Sequence, residues 1–182
     1  MARFFRRMIG AAMLDAATYE DIEADRSATP QALAIVVLSS LAAGIGARGA
    51  SSAGLAFAFF ARATGVALLL WAGFAWLTFE IGARILPTAN TRTDVGELLR
   101  TLGFAATPGL IQVFAIFTGA TVPVFALAIL WTLAASVVAV RQALDYTSTR
   151  RALGVCGLAV ALSLAFVVVL GVLFGATLAS RF

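Results

Sequence analysis

The residues that could do chemistry are few, and their types restrict what that chemistry could be. Glu80 is the one acidic residue set inside an apolar run, and Arg84 follows four residues later. A carboxylate at the centre of a membrane span costs about 2.5–3.5 kcal/mol on insertion scales, so an embedded acid is a candidate proton or ion site. At i and i+4 the two residues share a helix face. Pro87 then ends the helix within about 10 Å of Glu80, at 1.5 Å per residue, which makes an ion pair at the membrane boundary the stronger expectation. Thr107-Pro108-Gly109 interrupts another apolar run, with Gln112 a turn later. Pro108 lacks an N–H and clashes with the preceding turn, so a kink is predicted. Broken helices hold substrates in transporters, and a polar path would therefore use Pro108, Gln112, Glu80 and Arg84. The chain has no histidine, a single cysteine (Cys156), and only arginine among its 13 basic residues. This removes a disulfide, a Cys/His zinc site, an imidazole base and a lysine nucleophile. With no Ser/His/Asp set, phosphate loop or metal-binding cluster, neither an enzyme nor a cofactor is expected. Cys156 reads as a small buried hydrophobe.

These residues are carried by an apolar chain of 182 residues, 62% hydrophobic and 12% charged. Soluble domains average about 25% charged, and a mean hydropathy of +0.99 leaves too little polar surface to cover a core in water. The expected class is an all-α membrane protein of five transmembrane helices, since about 20 apolar residues cross the roughly 30 Å hydrocarbon core. The spans are read at about 30–47, 58–86, 103–118, 123–140 and 152–179, a membrane domain of residues 30–182 behind a head of residues 1–29. Long unbroken apolar runs exclude a β-barrel, whose strands alternate over about ten residues. Arg62, near the start of the second run, is read as snorkelling to the membrane surface. In the fifth span Gly157, Ala161 and Ala165, then Gly171, Gly175 and Ala179, repeat small residues every four positions. Such faces let helices pack closely, within the chain or against a partner.

Arginine placement orients the spans. Arg3, Arg6, Arg7, Arg26, Arg84, Arg92, Arg100, Arg141, Arg150 and Arg151 fall on one side; Arg48, Arg62 and Arg181 fall on the other. Ten against three predicts the N-terminus inside and the C-terminus outside. The pI of about 10.6 then records arginines held at a bilayer, and no nucleic-acid partner is expected.

Two stretches are amphipathic. Residues 3–13 place Phe4, Phe5, Met8, Ile9, Ala12 and Met13 at helical spacing beside Arg3, Arg6 and Arg7, predicting an interfacial helix with its arginines at anionic lipid head groups. Asp94 with Glu97 suits a capping box, and Val95, Leu98, Leu99 and Leu102 give the following short cytoplasmic helix one apolar face leading into the third span. Glu20, Asp21, Glu23 and Asp25 form an acidic run that reads as a solvated face or a docking surface for a basic partner. The Arg141–Arg151 loop carries Arg141, Arg150 and Arg151 at phosphate depth. Asp145, four residues after Arg141, could pair with it and lock the cytoplasmic loops together.

The stretch Glu97-Leu98-Leu99-Arg100-Thr101-Leu102-Gly103-Phe104-Ala105-Ala106-Thr107-Pro108 is similar to the amphipathic helix and Gly-Tyr…Pro motif of the Yip-one family, the Ypt/Rab-interacting membrane proteins, with Phe104 in place of tyrosine. Val140 to Ala152 and the Ala17-Thr18-Tyr19-Glu20-Asp21-Ile22 head resemble bacterial members, and five spans with N-in, C-out topology is the family plan. In eukaryotic members this resemblance implies binding of Rab-type GTPases. The long head with its Asp-Leu-Tyr-Gly-Pro motif is missing here, so no such GTPase is expected as a partner. The resemblance implies a bacterial cytoplasmic (inner) membrane protein. Its expected role is a non-enzymatic scaffold or accessory subunit in contact with lipid, other membrane proteins or copies of itself. The alternative is a small transporter or channel using the broken third helix.

Overall fold

The computed structural model describes residues 1–48 and 56–179. Arg181 therefore lies outside the described residues, and of Gly175 and Ala179 only the helical backbone is described. Two short helices come first, α1 (Ala2–Ala12) and α2 (Ala16–Ala24). A 3-10 turn at Arg26–Ala28 leads into α3 (Thr29–Arg48), and α4 (Ala56–Phe79) runs on as a π-helical segment, Glu80–Ile85. Next come α5 (Val95–Ala105), a 3-10 segment (Thr107–Phe114) and α6 (Ala115–Thr118). The long helices α7 (Thr121–Ala143) and α8 (Thr149–Ala179) complete the chain.

Five helical stretches are long and apolar enough to cross a membrane: Arg26–Ala47, Phe60–Ile85, Val95–Thr118, Thr121–Ala143 and Thr149–Val169. The third is half buried, against 22–28% for the others, so it is the central element of the bundle. α5 is the head-end part of that crossing. Asp94 caps it through a capping box with Glu97, as the sequence spacing requires. The amphipathic pattern predicted a surface helix with one apolar face, but α3, α4, α7 and α2 surround α5, and Leu98 and Arg100–Ala105 are all buried.

The predicted break at Thr107-Pro108-Gly109 is present, and it rewinds the chain as 3-10 helix over eight residues instead of merely bending it. Pro108 offers no N–H to the carbonyl of Phe104; the Thr107 hydroxyl donates to that carbonyl at 2.7 Å. The Ala106 carbonyl accepts from the Gly109 N–H at 2.9 Å and from the Ser39 hydroxyl of α3 at 2.8 Å. Non-helical backbone survives at membrane depth only when its polar groups are satisfied inside the protein, and these three donors do that.

α3 lies alongside the third crossing and runs parallel to it. Ala32 meets Gly103, Ser39 meets Ala106 and Gly109, and Gly46 meets the Gln112 carbonyl. The α3 positions are seven apart, the repeat that keeps one helix seam facing its partner. A Cβ on Gly103 would stand 2.6 Å from the Ala32 Cβ and 3.1 Å from its Cα, so backbone is met as well as side chain. At the far end Gly119 adopts φ +62°, a left-handed turn that costs glycine nothing and returns the chain antiparallel into α7.

The head does not sit apart from the bundle. Ala11, Tyr19 and Ile22 belong to one buried cluster with Leu98, Phe104, Ala135 and Ala139. Gly103→Val should destabilise the protein by about 1–3 kcal/mol, the usual penalty for overpacking. Gly65→Val, where nothing lies within 4 Å, should leave the thermal midpoint in detergent unchanged. Equal losses at the two positions would refute the close approach of α3 and α5.

Candidate functional site

The polar residues of the chain converge at the head end, where α1, α2, the N-terminus of α5 and the α7–α8 loop meet. α1 ends in a Schellman motif: the Leu14 N–H donates to Ala11 and the Asp15 N–H to Gly10. Leu14 itself takes φ +61°, a position usually given to glycine. The Asp15 side chain caps α2 through the Thr18 N–H. The turn folds α2 back against α1, and Gly10 sits so close to Thr18 that a Cβ would strike its side chain.

Arg7 is the buried cation of this hairpin, 1% exposed. Its Nε donates to Asp21 Oδ2 at 2.7 Å, and Nη2 donates to Asp25 Oδ2 at 2.9 Å and to the Asp21 carbonyl at 3.1 Å. Nη1 reaches Gln31 Oε1, at the start of α3, at 3.5 Å. Arg3 pairs with the same two acids from outside, at 2.8 and 3.3 Å. The hydrogen bond from Arg7 holds the Asp21 carboxyl below the usual range. Ser27 and Arg7 pull that of Asp25 down to about 2. The sequence reading set Arg3, Arg6 and Arg7 at lipid phosphates. The structure turns Arg3 and Arg7 to the acidic run, because two carboxylates within reach each accept a charge-assisted hydrogen bond from the Arg7 guanidinium, and leaves Arg6 exposed.

The rest of the acidic run lines a cavity of about 520 Å³ bounded by Glu20, Glu23, Glu97, Arg141, Asp145 and Tyr146 among others. Arg100, 5% exposed, donates through Nη2 to the Glu23 carbonyl at 2.6 Å and so fixes α2 to α5. Gln142 of α7 donates to Glu20 at 2.8 Å. Burial pushes the Glu23 carboxyl up to about 7, with Glu97 and Asp145 adding to the rise, Arg100 opposing it and Glu20 adding a little more.

Asp145 and Arg141 do not pair with each other. Arg141 donates to Gln142 Oε1 and Thr149 Oγ1, both at 3.2 Å. Asp145, at φ +52°, occupies the left-handed position of a second Schellman motif, in which the Tyr146 N–H donates to Arg141 and the Asp145 N–H to Gln142. That turn aims the Asp145 carboxylate at the Arg92 N–H, 3.3 Å away, while the Leu144 carbonyl accepts from Thr91 at 3.1 Å. The two loops are thus joined by two bonds, each between a main-chain group of one loop and a side chain of the other. The buried Tyr146 hydroxyl completes the junction, its one proton shared between the carbonyls of Gly82 and Leu86 at 2.9 and 2.8 Å. Gly82 lies in the π-helical end of α4 and Leu86 caps it; the last carbonyls of a helix have no partner within it, and Pro87 brings no N–H. Arg150 is exposed, and the Arg151 guanidinium lies 5.7 Å over the Tyr146 ring.

The other candidates do not line this cavity. Glu80 and Arg84 form the i,i+4 ion pair at 3.0 Å, and Arg84 lies over Phe79 at 5.4 Å. Pro108 and Gln112 lie in the third crossing, where the Gln112 carbonyl faces Gly46 of α3. On α8, Gly157, Ala161, Ala165 and Gly171 face outward, and Gly157 and Gly171 have nothing within 4 Å. Arg7, Arg100 and Tyr146 were not legible as a set, since each needs partners 14 to 77 residues away. Among the described residues no group of His, Cys, Asp or Glu is arranged to hold a metal ion.

The family model described as the Yip1 domain matches residues 13–171. The chain belongs to the Yip1-domain family. Neither the curated proteins nor the solved structures include a match. The matched span begins at the α1–α2 turn and ends within α8, so it takes in α2, both joined loops, the Thr107-Pro108 break and Tyr146.

Arg7→Ala should lower stability by about 1.5–3 kcal/mol, the range for hydrogen bonds to charged groups. Arg6→Ala should stay within about 0.5 kcal/mol of wild type, as surface changes do. Comparable thermal shifts for the two would show that Arg7 is not the latch. A second expectation concerns pH. The folded state holds the Glu23 proton more tightly than the unfolded chain, whose carboxyl titrates near 4.5, so stability falls as pH rises from about 4.5 to about 7. Glu23→Gln should remove that fall in a series of thermal midpoints, and an unchanged slope would refute the assignment.

Proposed function

We infer that this Yip1-domain protein is a non-enzymatic membrane scaffold or accessory subunit, which holds partners through its helices and carries a rigid polar surface at its head end. The observation that carries this reading is the one-sided packing of α8. Ala152, Val155, Cys156 and Ala159 are buried against the bundle, while Gly154 and Gly157 have nothing within 4 Å and Ala161 and Ala165 are exposed. Small residues on a lipid-facing surface allow a second helix to approach closely. The head-end hollow is a second asset of a scaffold, since α2 and two loops are tied there into one surface carrying four carboxylates. That charge suits a basic segment of a partner.

This reading places the head end in the cytoplasm of a bacterial cell, supported by the arginine distribution and by the exposed Arg6, Arg92 and Arg150 there. Each such residue contributes about 1 kcal/mol at an anionic leaflet. Two observations weigh against transport through the third crossing: the Phe104 carbonyl freed by Pro108 is taken by Thr107 and the neighbouring Ala106 carbonyl by Gly109 and Ser39, and Glu80 is paired with Arg84.

Purification in mild detergent tests the scaffold. A stoichiometric partner, or a second copy, should accompany the wild type and be lost from Gly157→Leu/Ala161→Leu with the thermal midpoint preserved. A wild type that is reproducibly monomeric and alone would overturn the reading. Reporter fusions joined after Gly119 and after Asp145 should report opposite sides, the second cytoplasmic.

A further inference from the structure

We propose that α1 is a wedge seated in the hydrocarbon edge of one leaflet, held there by an apolar stripe and by its attachment to the bundle instead of by arginine–phosphate contacts. The helix divides into arcs. Arg3, Arg7 and Gly10 face α2. Phe4, Met8 and Ala11 pack against the core, where the Phe4 ring meets Phe104 edge-on at 6.3 Å. The arc opposite α2 carries Phe5, Ile9 and Met13, four residues apart on one face and 56%, 61% and 75% exposed.

Two observations say what covers that stripe. First, the Trp131 indole N–H of α7 donates to the Ala12 carbonyl at 2.7 Å. This seats the end of α1 against a helix whose neighbouring Leu127, Leu130 and Leu133 are themselves exposed apolar residues of a membrane span. The stripe and the lipid-facing surface of α7 therefore adjoin. Second, the depth agrees. Phe104 is next to Gly103, which meets Ala32, and from Ala32 to the end of the first span at Ala47 a helix rises about 22 Å. Trp131, ten residues after Thr121 at the far end of α7, gives a lower mark of about 15 Å, so α1 lies in the head-side half of a core roughly 30 Å thick. α2, with its acids, covers the opposite face of α1 and belongs on the aqueous side. The occupant of the stripe is the acyl chains of that leaflet. Arg3 and Arg7 are engaged by Asp21 and Asp25, which leaves Arg6 alone on α1 for a lipid phosphate, about 1 kcal/mol beside a stripe of three large apolar side chains.

The test uses the full chain reconstituted in vesicles, with nitroxide labels on Phe5→Cys, Ile9→Cys and Met13→Cys and an aqueous control at Ala17→Cys, all in a Cys156→Ala background. Collisional accessibility is measured with oxygen and with a polar nickel chelate. At the three stripe positions the oxygen-to-nickel ratio should stand several-fold above that at Ala17, equally in phosphatidylcholine vesicles and in vesicles containing phosphatidylglycerol. Stripe labels as open to the nickel chelate as Ala17 would overturn the proposal. Dipolar broadening between labels would also overturn it, in favour of a second copy of this chain. A high ratio only in the anionic vesicles would refute the apolar seating. The unsubstituted protein gives an independent reading: a lipid with a diazirine on its acyl chain should tag residues 5–13, and an untagged segment again overturns the proposal.

Discussion

Backbone polar groups inside a bilayer have no water to turn to, and the break in the third crossing places that constraint at the centre of this bundle. Pro108 removes a donor from the half-buried third crossing, and the carbonyls around the break must find hydroxyls or N–H groups nearby. Thr107 answers locally, while Ser39 answers from α3. For Ser39 to reach Ala106, α3 must run at backbone distance from the third crossing. The glycines at 103 and 46 permit that distance, because any side chain there would meet Ala32 or the Gln112 carbonyl. The α3 seam of Ala32, Ser39 and Gly46 is therefore a consequence of the break as much as of ordinary packing. With α3 and the third crossing locked, Phe104 and Leu98 are placed to receive the head.

The head is then held by charges that the bilayer would not tolerate unpaired. Arg7 and Arg100 are both almost fully buried, and a buried charge is costly unless it is hydrogen-bonded. Arg7 finds Asp21, Asp25 and Gln31; Arg100 finds the Glu23 carbonyl. These bonds tie α1 to α2, α2 to α5 and the hairpin to α3. They also convert an acidic run into an ordered structural edge, with Glu23 left inside the hollow it borders. Two Schellman turns with non-glycine residues at the left-handed position, Leu14 and Asp145, each cost of order 1–3 kcal/mol. Both lie where a tertiary bond compensates: Leu14 packs against the core and Asp145 accepts from Arg92. The loops of this end are thus tied to one another and to the helices they join.

The five crossings, the capping box at Asp94, the interruption at Pro108 and the Glu80–Arg84 pair were legible in the sequence. Each is a local property: apolar length, a three- or four-residue spacing, or a missing N–H. The resemblance of Glu97–Pro108 to the Yip-one family rested on the same kind of contiguous motif, and the family match over residues 13–171 agrees with it. Small residues in α8 were also visible as a stripe, but whether a neighbour from the same chain fills it is a question of packing. The structure sets the close approach elsewhere, at Gly103 and Gly46.

What the tertiary structure alone decided is the partner of each charge. A sequence shows that Arg3, Arg6 and Arg7 share a short helix with apolar residues, and lipid phosphate is then the nearest anion to invoke. It does not show that Leu14 turns the chain so that Asp21 and Asp25 arrive opposite that helix, 14 to 22 residues on. Asp145 likewise stands four residues from Arg141, the spacing for a helical ion pair. But α7 ends at Ala143 and the backbone there goes left-handed, which carries the carboxylate away from Arg141 to the Arg92 N–H. Sequence spacing settles which side chains share an element, because helical geometry is periodic. Which element lies across from it depends on how turns and close packing fold the chain back, and that information is non-local.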